Sequence, residues 1–152
     1  MTYRSEDIDA IAGDYFTEWD AGEPHGEDFD RFFAGSQRIE ETVLDDPRAG
    51  LELILALVER APTDAALGRL AAGPLEDFIL VYGLDFVDAL DLEAARNLRF
   101  RQALWGTWGW EEIPAVVGDR LLKHFPDDLR TYWQRRRFDM TPSDARGTWP
   151  PT

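Results

Sequence analysis

Histidines and carboxylates are the side chains in this sequence that could support acid–base or metal chemistry. The two histidines, His25 and His124, lie far apart along the chain. His25 lies in a segment with glycine and proline, close to Glu23, Glu27 and Asp28, a composition that suits a metal ion or a proton transfer. A histidine in such a segment is more often simply exposed to solvent. His124 lies near the C-terminus of a predicted helix, where the helix dipole favours a partly charged imidazole in a structural role.

The short motifs of common enzyme classes are missing from the sequence. There is no His-Glu-x-x-His zinc motif, no Gly-x-Ser-x-Gly turn and no glycine-rich phosphate loop. None of the serines (Ser5, Ser36 and Ser143) lies in a nucleophile context. The chain has no cysteine, which excludes disulfides, thiolate metal sites and cysteine nucleophiles. We therefore expect no catalytic residue, no bound metal and no cofactor.

Acidic side chains greatly outnumber basic ones and are unevenly distributed. Thirty Asp and Glu residues against 16 Lys and Arg residues give a net charge of −14. Residues 1–30 hold ten acids and one base, whereas residues 97–152 hold seven acids and nine bases. A nucleic acid is a poor partner for this composition, because phosphate neutralisation needs a basic face. The charge favours a basic protein partner, although an acidic surface that only maintains solubility would have the same composition.

Tryptophans and paired carboxylates form the candidate binding surface. Trp105 and Trp108 are three residues apart on a predicted helix, so we expect both in the core. Trp110 lies beside Glu111 and Glu112, and we expect it to be partly exposed. An exposed tryptophan flanked by acids is typical of an interface hot spot. We predict that the partner is bound by Glu27, Asp28, Asp45, Asp46, Trp110, Glu111 and Glu112.

The elements that position these residues are predicted to be helices. Apolar residues recur at helical spacing along almost the whole chain, and no segment alternates as a strand would. Ser5 is the expected N-cap of the first helix, and Asp46-Pro47 is a strong helix start, with aspartate as N-cap and proline at the first position. Helix ends are expected at three glycines, Gly35, Gly73 and Gly83. Pro74 is then expected to start a new helix directly after Gly73, at a tight corner.

The predicted fold class is all-α, with short antiparallel helical hairpins in an irregular stack that resembles a helical repeat or an orthogonal bundle. Residues 1–138 are expected to form a single domain, and residues 139–152, with three prolines, an extended C-terminal tail. No apolar run approaches the roughly 20 residues of a membrane span, and the N-terminus lacks a signal-peptide pattern. We therefore expect no membrane partner and a cytoplasmic protein.

Part of the sequence resembles a family of bacterial proteins that is classified only as a domain of unknown function. The similar stretches are LAAGPLEDFILVYGLDFVDAL, from Leu70, and RFRQALWGTWGWEEIP, up to Pro114. The resemblance rests on the Ala-Gly-Pro-Leu-Glu-Asp run at 72–77, on Phe100-Arg101 and on the Leu-Trp-Gly-x-Trp turn at 104–108. It implies a small all-helical protein and carries no known activity. Members of the family usually have an amide or basic residue after this turn, where this chain has Gly-Trp-Glu-Glu.

Two functional hypotheses follow from the sequence. The first is a non-enzymatic, acidic protein-binding module, such as an immunity protein or antitoxin-like inhibitor that blocks a basic toxin partner. Its carboxylates would plug the partner's basic site, with an aromatic anchor such as Trp110. The alternative is a metal-binding protein or hydrolase that depends on carboxylates and His25.

Overall fold

The computed structural model describes residues 3–17 and 26–139, with side chains described as far as residue 136. These residues form helices and connecting turns without a β-strand, so the predicted all-α fold class is confirmed. The helices are α1 (Ser5–Tyr15), α2 (Glu27–Asp45), α3 (Pro47–Arg60), α4 (Asp64–Leu70), α5 (Glu76–Arg96), α6 (Leu98–Trp105), α7 (Ala115–Leu122) and α8 (Asp127–Asp139). Residues 71–75 form a π-helical turn between α4 and α5. None of the described helices is long and apolar enough to cross a membrane.

The helices pack around one hydrophobic core. Helices α1, α2 and α3 all contact one another, and α2 and α3 are joined by the single residue Asp46. Helix α3 also contacts α6, and α5 contacts both α6 and α7. Helix α3 is central because its sequence, LELILALV, is apolar on nearly every side. The fully buried side chains at the centre include Leu53, Ile54, Leu57, Leu70, Leu75, Phe78, Phe100 and Leu104.

Local capping chemistry sets the start of α3 as predicted but not the start of α1. The Asp46 carboxylate accepts a hydrogen bond from the backbone N–H of Arg48 (3.1 Å), and Pro47 occupies the first helical position. This arrangement satisfies donors that have no partner within the helix. The expectation that Ser5 caps α1 is wrong, since Arg4 is the N-cap residue and Ser5 is the first helical residue.

The expectation that glycines end helices is wrong at all three positions. Gly35 lies inside α2, Gly83 lies inside α5, and both are buried, while Gly73 lies within the π turn. A Cβ on Gly35 would lie 2.8 Å from the backbone nitrogen of Tyr15, and one on Gly83 would lie 3.3 Å from a methyl carbon of Val117. These glycines therefore let helices approach closely, and α2 and α5 are longer than the short helices predicted.

Pro74 lies inside a continuous helical segment rather than at the start of a new helix. Proline has no backbone N–H and crowds the carbonyl of the residue four positions earlier, here Leu70. The backbone widens at this point, so that the Glu76 N–H donates to the carbonyl of Ala71, five residues earlier. The corner predicted at Gly73-Pro74 is therefore wrong, and α4 continues through the π turn into α5.

The predicted domain boundary remains a prediction. Helix α8 extends to Asp139, one residue beyond the expected end of the helical domain at 138. The expected tail, residues 139–152, lies outside the described residues from position 140 onward.

Candidate protein-binding site

A groove of about 720 Å³ lies between α2 on one side and the π turn with the start of α5 on the other. Its walls are mainly apolar. The side chains at its rim remain exposed in the isolated chain, with Leu44 67% and Val81 69% accessible. The apolar and aromatic side chains that line the groove include Tyr15, Phe32, Ile39, Val43, Phe78, Leu80 and Tyr82.

The exposed face of α2 extends the apolar surface beyond the groove. Phe29 and Phe33 stack on each other with ring centroids 6.1 Å apart, and about half of each side chain is exposed. Helical spacing places Phe33, Glu40 and Leu44 on one face, because intervals of four and seven residues return to the same side. The groove and this aromatic pair are therefore parts of one surface.

Two carboxylates and one guanidinium line the groove beside the apolar side chains. These are Glu40 of α2, Asp77 of α5 and Arg69 of α4. Burial, and then the negative charge of Glu40, raise the pKa of Asp77. Burial also raises the pKa of Tyr15, whose hydroxyl donates a long hydrogen bond (3.5 Å) to the carbonyl of Arg69. Glu40 and Asp77 repel each other across the groove, so a cationic group between them would stabilise both.

The loop after α6 continues the acidic surface from the start of α5. Its Trp108 backbone N–H donates to Oε1 of Glu76 at 2.8 Å. Burial raises the pKa of Glu76; the Trp108 hydrogen bond opposes this effect, and the charges of Asp77, Glu111 and Glu112 reinforce it. Oε2 of Glu111 is buried and has no hydrogen-bond partner among the described residues. We call the set Glu40, Glu76, Asp77, Glu111 and Glu112 the acidic band.

The structure reverses the predicted exposure of two tryptophans. Trp110 is fully buried, with its ring edge-on to Phe125 at 5.2 Å, so the expectation that it is an exposed anchor is wrong. Trp108 is 40% exposed, so its expected place in the core is also wrong. The reason is that α6 ends at Trp105, which removes Trp108 from the helix, and Gly109 (φ 72°) turns the chain back toward the core.

The three predicted acidic pairs do not lie together. The pair at 27–28 begins α2 and the pair at 45–46 ends it, which separates them by about 27 Å along 19 residues. The pair at 111–112 lies near Glu76 and belongs to the acidic band. Asp46 is also engaged as the N-cap of α3.

The sequence prediction did not include four residues of this surface. Glu40, Glu76, Asp77 and Trp108 were not among the predicted binding residues. The sequence offered one signal for these residues. Glu76 and Asp77 belong to the run at 72–77 that carries the family resemblance.

Of the two histidines, only His124 lies among the described residues, and it contacts Asp91 rather than the acidic band. His25 lies outside the described residues. His124 Nε2 lies 2.7 Å from Oδ1 of Asp91, and Oδ2 of the same carboxylate accepts hydrogen bonds from Arg120 (2.8 Å) and Lys123 (3.1 Å). In ranges 3–17 and 26–139, no three His, Asp or Glu side chains are placed to hold a metal ion. The hypothesis of a metal site at His25 remains a prediction.

Comparison with known protein families identifies the family of this chain. Residues 23–124 match a family described as a family of unknown function, DUF6869. The matched range covers more than half of the chain and contains both walls of the groove, from α2 to α7, together with the loop that carries Trp108. The predicted resemblance to a family of unknown function is confirmed. Its bacterial origin and the motifs on which it was based remain predictions. No curated protein and no solved structure matches the chain.

Proposed function

Since this chain belongs to the family of unknown function DUF6869, we propose its function from its own surface. It is a non-enzymatic protein-binding module that inhibits a basic protein partner, in the manner of an immunity protein or antitoxin that blocks a toxin. The observation that carries the proposal is the open apolar groove between α2 and α5 with the acidic band beside it.

The apolar part of this surface supports the proposal through its extent. Single exposed apolar side chains are ordinary on a protein surface, but contiguous apolar patches mark interaction sites. Here Leu44 and Val81 line one groove, and Phe29 and Phe33 extend it along α2. Trp108 is exposed on the loop beside Glu76, and tryptophan is among the residues that contribute most to binding energy at interfaces. Trp108 thus takes the anchor role that the sequence suggested for Trp110.

The charges support a basic partner rather than an acidic or neutral one. The carboxylates of Glu76 and Asp77 have raised pKa values because they are partly buried beside other acids. Cationic groups of a partner would reduce this repulsion. The net charge of −14 attracts a basic protein at long range. Inhibition then follows from steric occlusion, because the carboxylates cover the basic site that the partner uses.

Co-purification from native cell extract tests the proposal. Tagged wild-type protein is expected to capture one basic protein in stoichiometric amount. A triple variant of the loop combines Trp108→Ala, Glu111→Gln and Glu112→Gln. It is expected to reduce the captured amount more than about tenfold, because the anchor and two charges are lost. Two further variants, Glu27→Gln/Asp28→Asn and Asp45→Asn/Asp46→Asn, test the other predicted pairs. Asparagine at position 46 keeps the helix cap.

A matched control uses two exposed carboxylates outside this surface. Glu52→Gln with Asp128→Asn removes the same number of charges as either acidic pair and is expected to leave capture unchanged. Capture that is equal for the wild type and every variant would contradict the proposal, as would the absence of any stoichiometric basic protein.

Thermal unfolding with divalent metal ions tests the alternative function. We expect no shift of the melting temperature beyond the general effect of salt. A stabilisation by Zn²⁺ or Mn²⁺ that is lost in His25→Ala would favour a metal-binding protein instead.

A further inference from the structure

We infer that the groove receives an amphipathic α-helix of the partner, which lies between α2 and α5 and places a Lys or Arg side chain between Glu40 and Asp77. This inference rests on the proposed function, because it names the element by which a basic protein partner would bind.

The dimensions of the groove suit a helix. Its lining residues on α2 run from Phe32 to Leu44, and those on the opposite wall run from Ala72 to Tyr82. At the rise of an α-helix these spans are about 18 Å and about 15 Å, which is the length of roughly three helical turns. Binding of an amphipathic helix in an apolar groove is a recurring form of peptide recognition.

The groove is open along its rim, which distinguishes it from an enclosed small-molecule pocket. Leu44 and Val81, one on each wall, are 67% and 69% exposed. A pocket for a small ligand usually surrounds most of the ligand's surface. A helix would cover both rim residues with its apolar face and leave its polar face in water.

An extended strand is a poor occupant. Both walls are helical, so their backbone N–H and C=O groups are used within the helices. The described part of the chain contains no strand whose edge could accept another strand. The occupant must therefore bind through side chains, which is how a helix presents itself to a groove.

The charges in the groove indicate that the bound helix carries a basic side chain. Glu40 and Asp77 line opposite walls and interact unfavourably with each other. A Lys or Arg between them would have two carboxylate partners, while Arg69 is the basic side chain among the described residues that line the groove. A second copy of this chain is disfavoured, because it would bring a second acidic surface against the first.

Selection from a peptide library tests the inference with a defined probe. Random peptides of about 16 residues, enough for four helical turns, are displayed on phage and selected on the full-length protein. We expect the enriched peptides to have apolar residues at spacings of three and four, to contain Lys or Arg, and to gain helical circular dichroism when bound. Their affinities are then measured by fluorescence anisotropy on purified variants.

Two variants of the groove and one control variant test whether the selected peptides bind in the groove. Val81→Gln is expected to weaken binding about tenfold, and Asp77→Asn with Glu40→Gln is expected to weaken it by a similar factor. Val116→Gln is the matched control, because Val116 is a valine of similar exposure (60% against 69% for Val81) on α7 and does not line the groove. Circular dichroism checks that each variant is folded, and Asp77→Asn removes a repulsion rather than a favourable contact.

The outcomes separate this inference from the proposed function. Enriched peptides without helical spacing, or peptides that bind Val81→Gln and wild type equally, would overturn the inference. A dimer in light scattering that Val81→Gln dissociates would also overturn it, because a second copy would then be the occupant.

If a basic protein is captured from extract while no helical peptide is selected, only the inference fails. If helical peptides bind the groove and no basic protein is captured, the proposed function fails.

Discussion

Asp91 connects α5 to the end of α7 and to the turn after it through Arg120, Lys123 and His124. Its carboxylate, 14% exposed, accepts hydrogen bonds from Arg120 at 2.8 Å and Lys123 at 3.1 Å, and lies 2.7 Å from His124 Nε2. Burial alone would raise the pKa of Asp91, but the hydrogen bonds from His124, Arg120 and Lys123 lower it to about 2. This network explains His124 as a structural residue that helps to position the end of α7.

Asp91→Asn is expected to make the free energy of unfolding vary less with pH in the acid range. The pKa of Asp91 is lower in the folded chain than its ordinary value of 3.8, so its ionised form stabilises the fold above that pH. This stabilisation is lost as the pH falls from about 4 to about 2. Urea unfolding should give a difference between wild type and Asp91→Asn on the order of 1 kcal/mol at pH 7, which shrinks toward pH 2. A difference that stays constant over this range would contradict the assignment.

The two tryptophans of the loop are expected to differ sharply in their effect on stability. Trp110→Ala removes a fully buried ring that packs edge-on against Phe125, and should lower the free energy of unfolding by about 3–5 kcal/mol. Trp108→Ala removes a side chain that is 40% exposed, and should cost less than about 1 kcal/mol. Urea denaturation of both variants measures this contrast. Equal losses of unfolding free energy in the two variants would contradict the burial of Trp110 and the exposure of Trp108.

At the scale of helices, glycine-to-alanine substitutions should have opposite effects at two positions. Gly35→Ala would place a Cβ 2.8 Å from the Tyr15 backbone nitrogen and force α1 away from α2, which should cost about 1–3 kcal/mol. Gly68→Ala, in α4, meets nothing within 4 Å and should stabilise the chain by about 0.5–1 kcal/mol. Thermal unfolding followed by circular dichroism measures both. Shifts in the same direction would refute the close approach of α1 and α2.

A helix end could be predicted from the sequence where it depends only on residues adjacent in the chain. The Asp46-Pro47 start is an example, because a carboxylate and a proline act on the adjacent backbone alone. Gly35 and Gly83 could not be interpreted in the same way. Each is a glycine because of a side chain or backbone across the interface, from α1 or α7, and the sequence does not show which helix lies there. Local rules favour a helix end at glycine, and tertiary packing overrode them.

At the scale of the whole molecule, the binding surface was only partly predictable. The composition indicated a basic partner, and the pair at 111–112 does join the acidic band. Glu40 and Asp77, however, lie far apart in the sequence, and only the packing of α2 beside the π turn places them in one groove. The exposures of Trp108 and Trp110 depended on the end of α6 at Trp105 and on the left-handed Gly109. The sequence does not show which of the two indole rings then faces the core.

The net charge of −14 predicts salt-dependent association with a basic partner. Charges of opposite sign accelerate the encounter of two proteins, and dissolved ions screen this attraction. Raising the salt from about 0.02 M to about 0.5 M should lower the association rate constant at least about tenfold and change the dissociation rate constant much less. Stopped-flow fluorescence or biolayer interferometry measures both constants. An association rate that is independent of salt would contradict electrostatic steering.

The π turn at residues 71–75 sets the rotational phase of the long helix that follows it. Each residue of an α-helix turns the chain by about 100°, so one added residue rotates everything after it by that angle. With the present phase, Asp77 and Val81 face the groove while Glu76 faces the Trp108 loop. If the turn closed to ordinary α geometry, the carboxylate and the rim valine would both rotate out of the groove. Pro74, which lacks an N–H and crowds the Leu70 carbonyl, therefore sets which side chains of α5 face the binding surface.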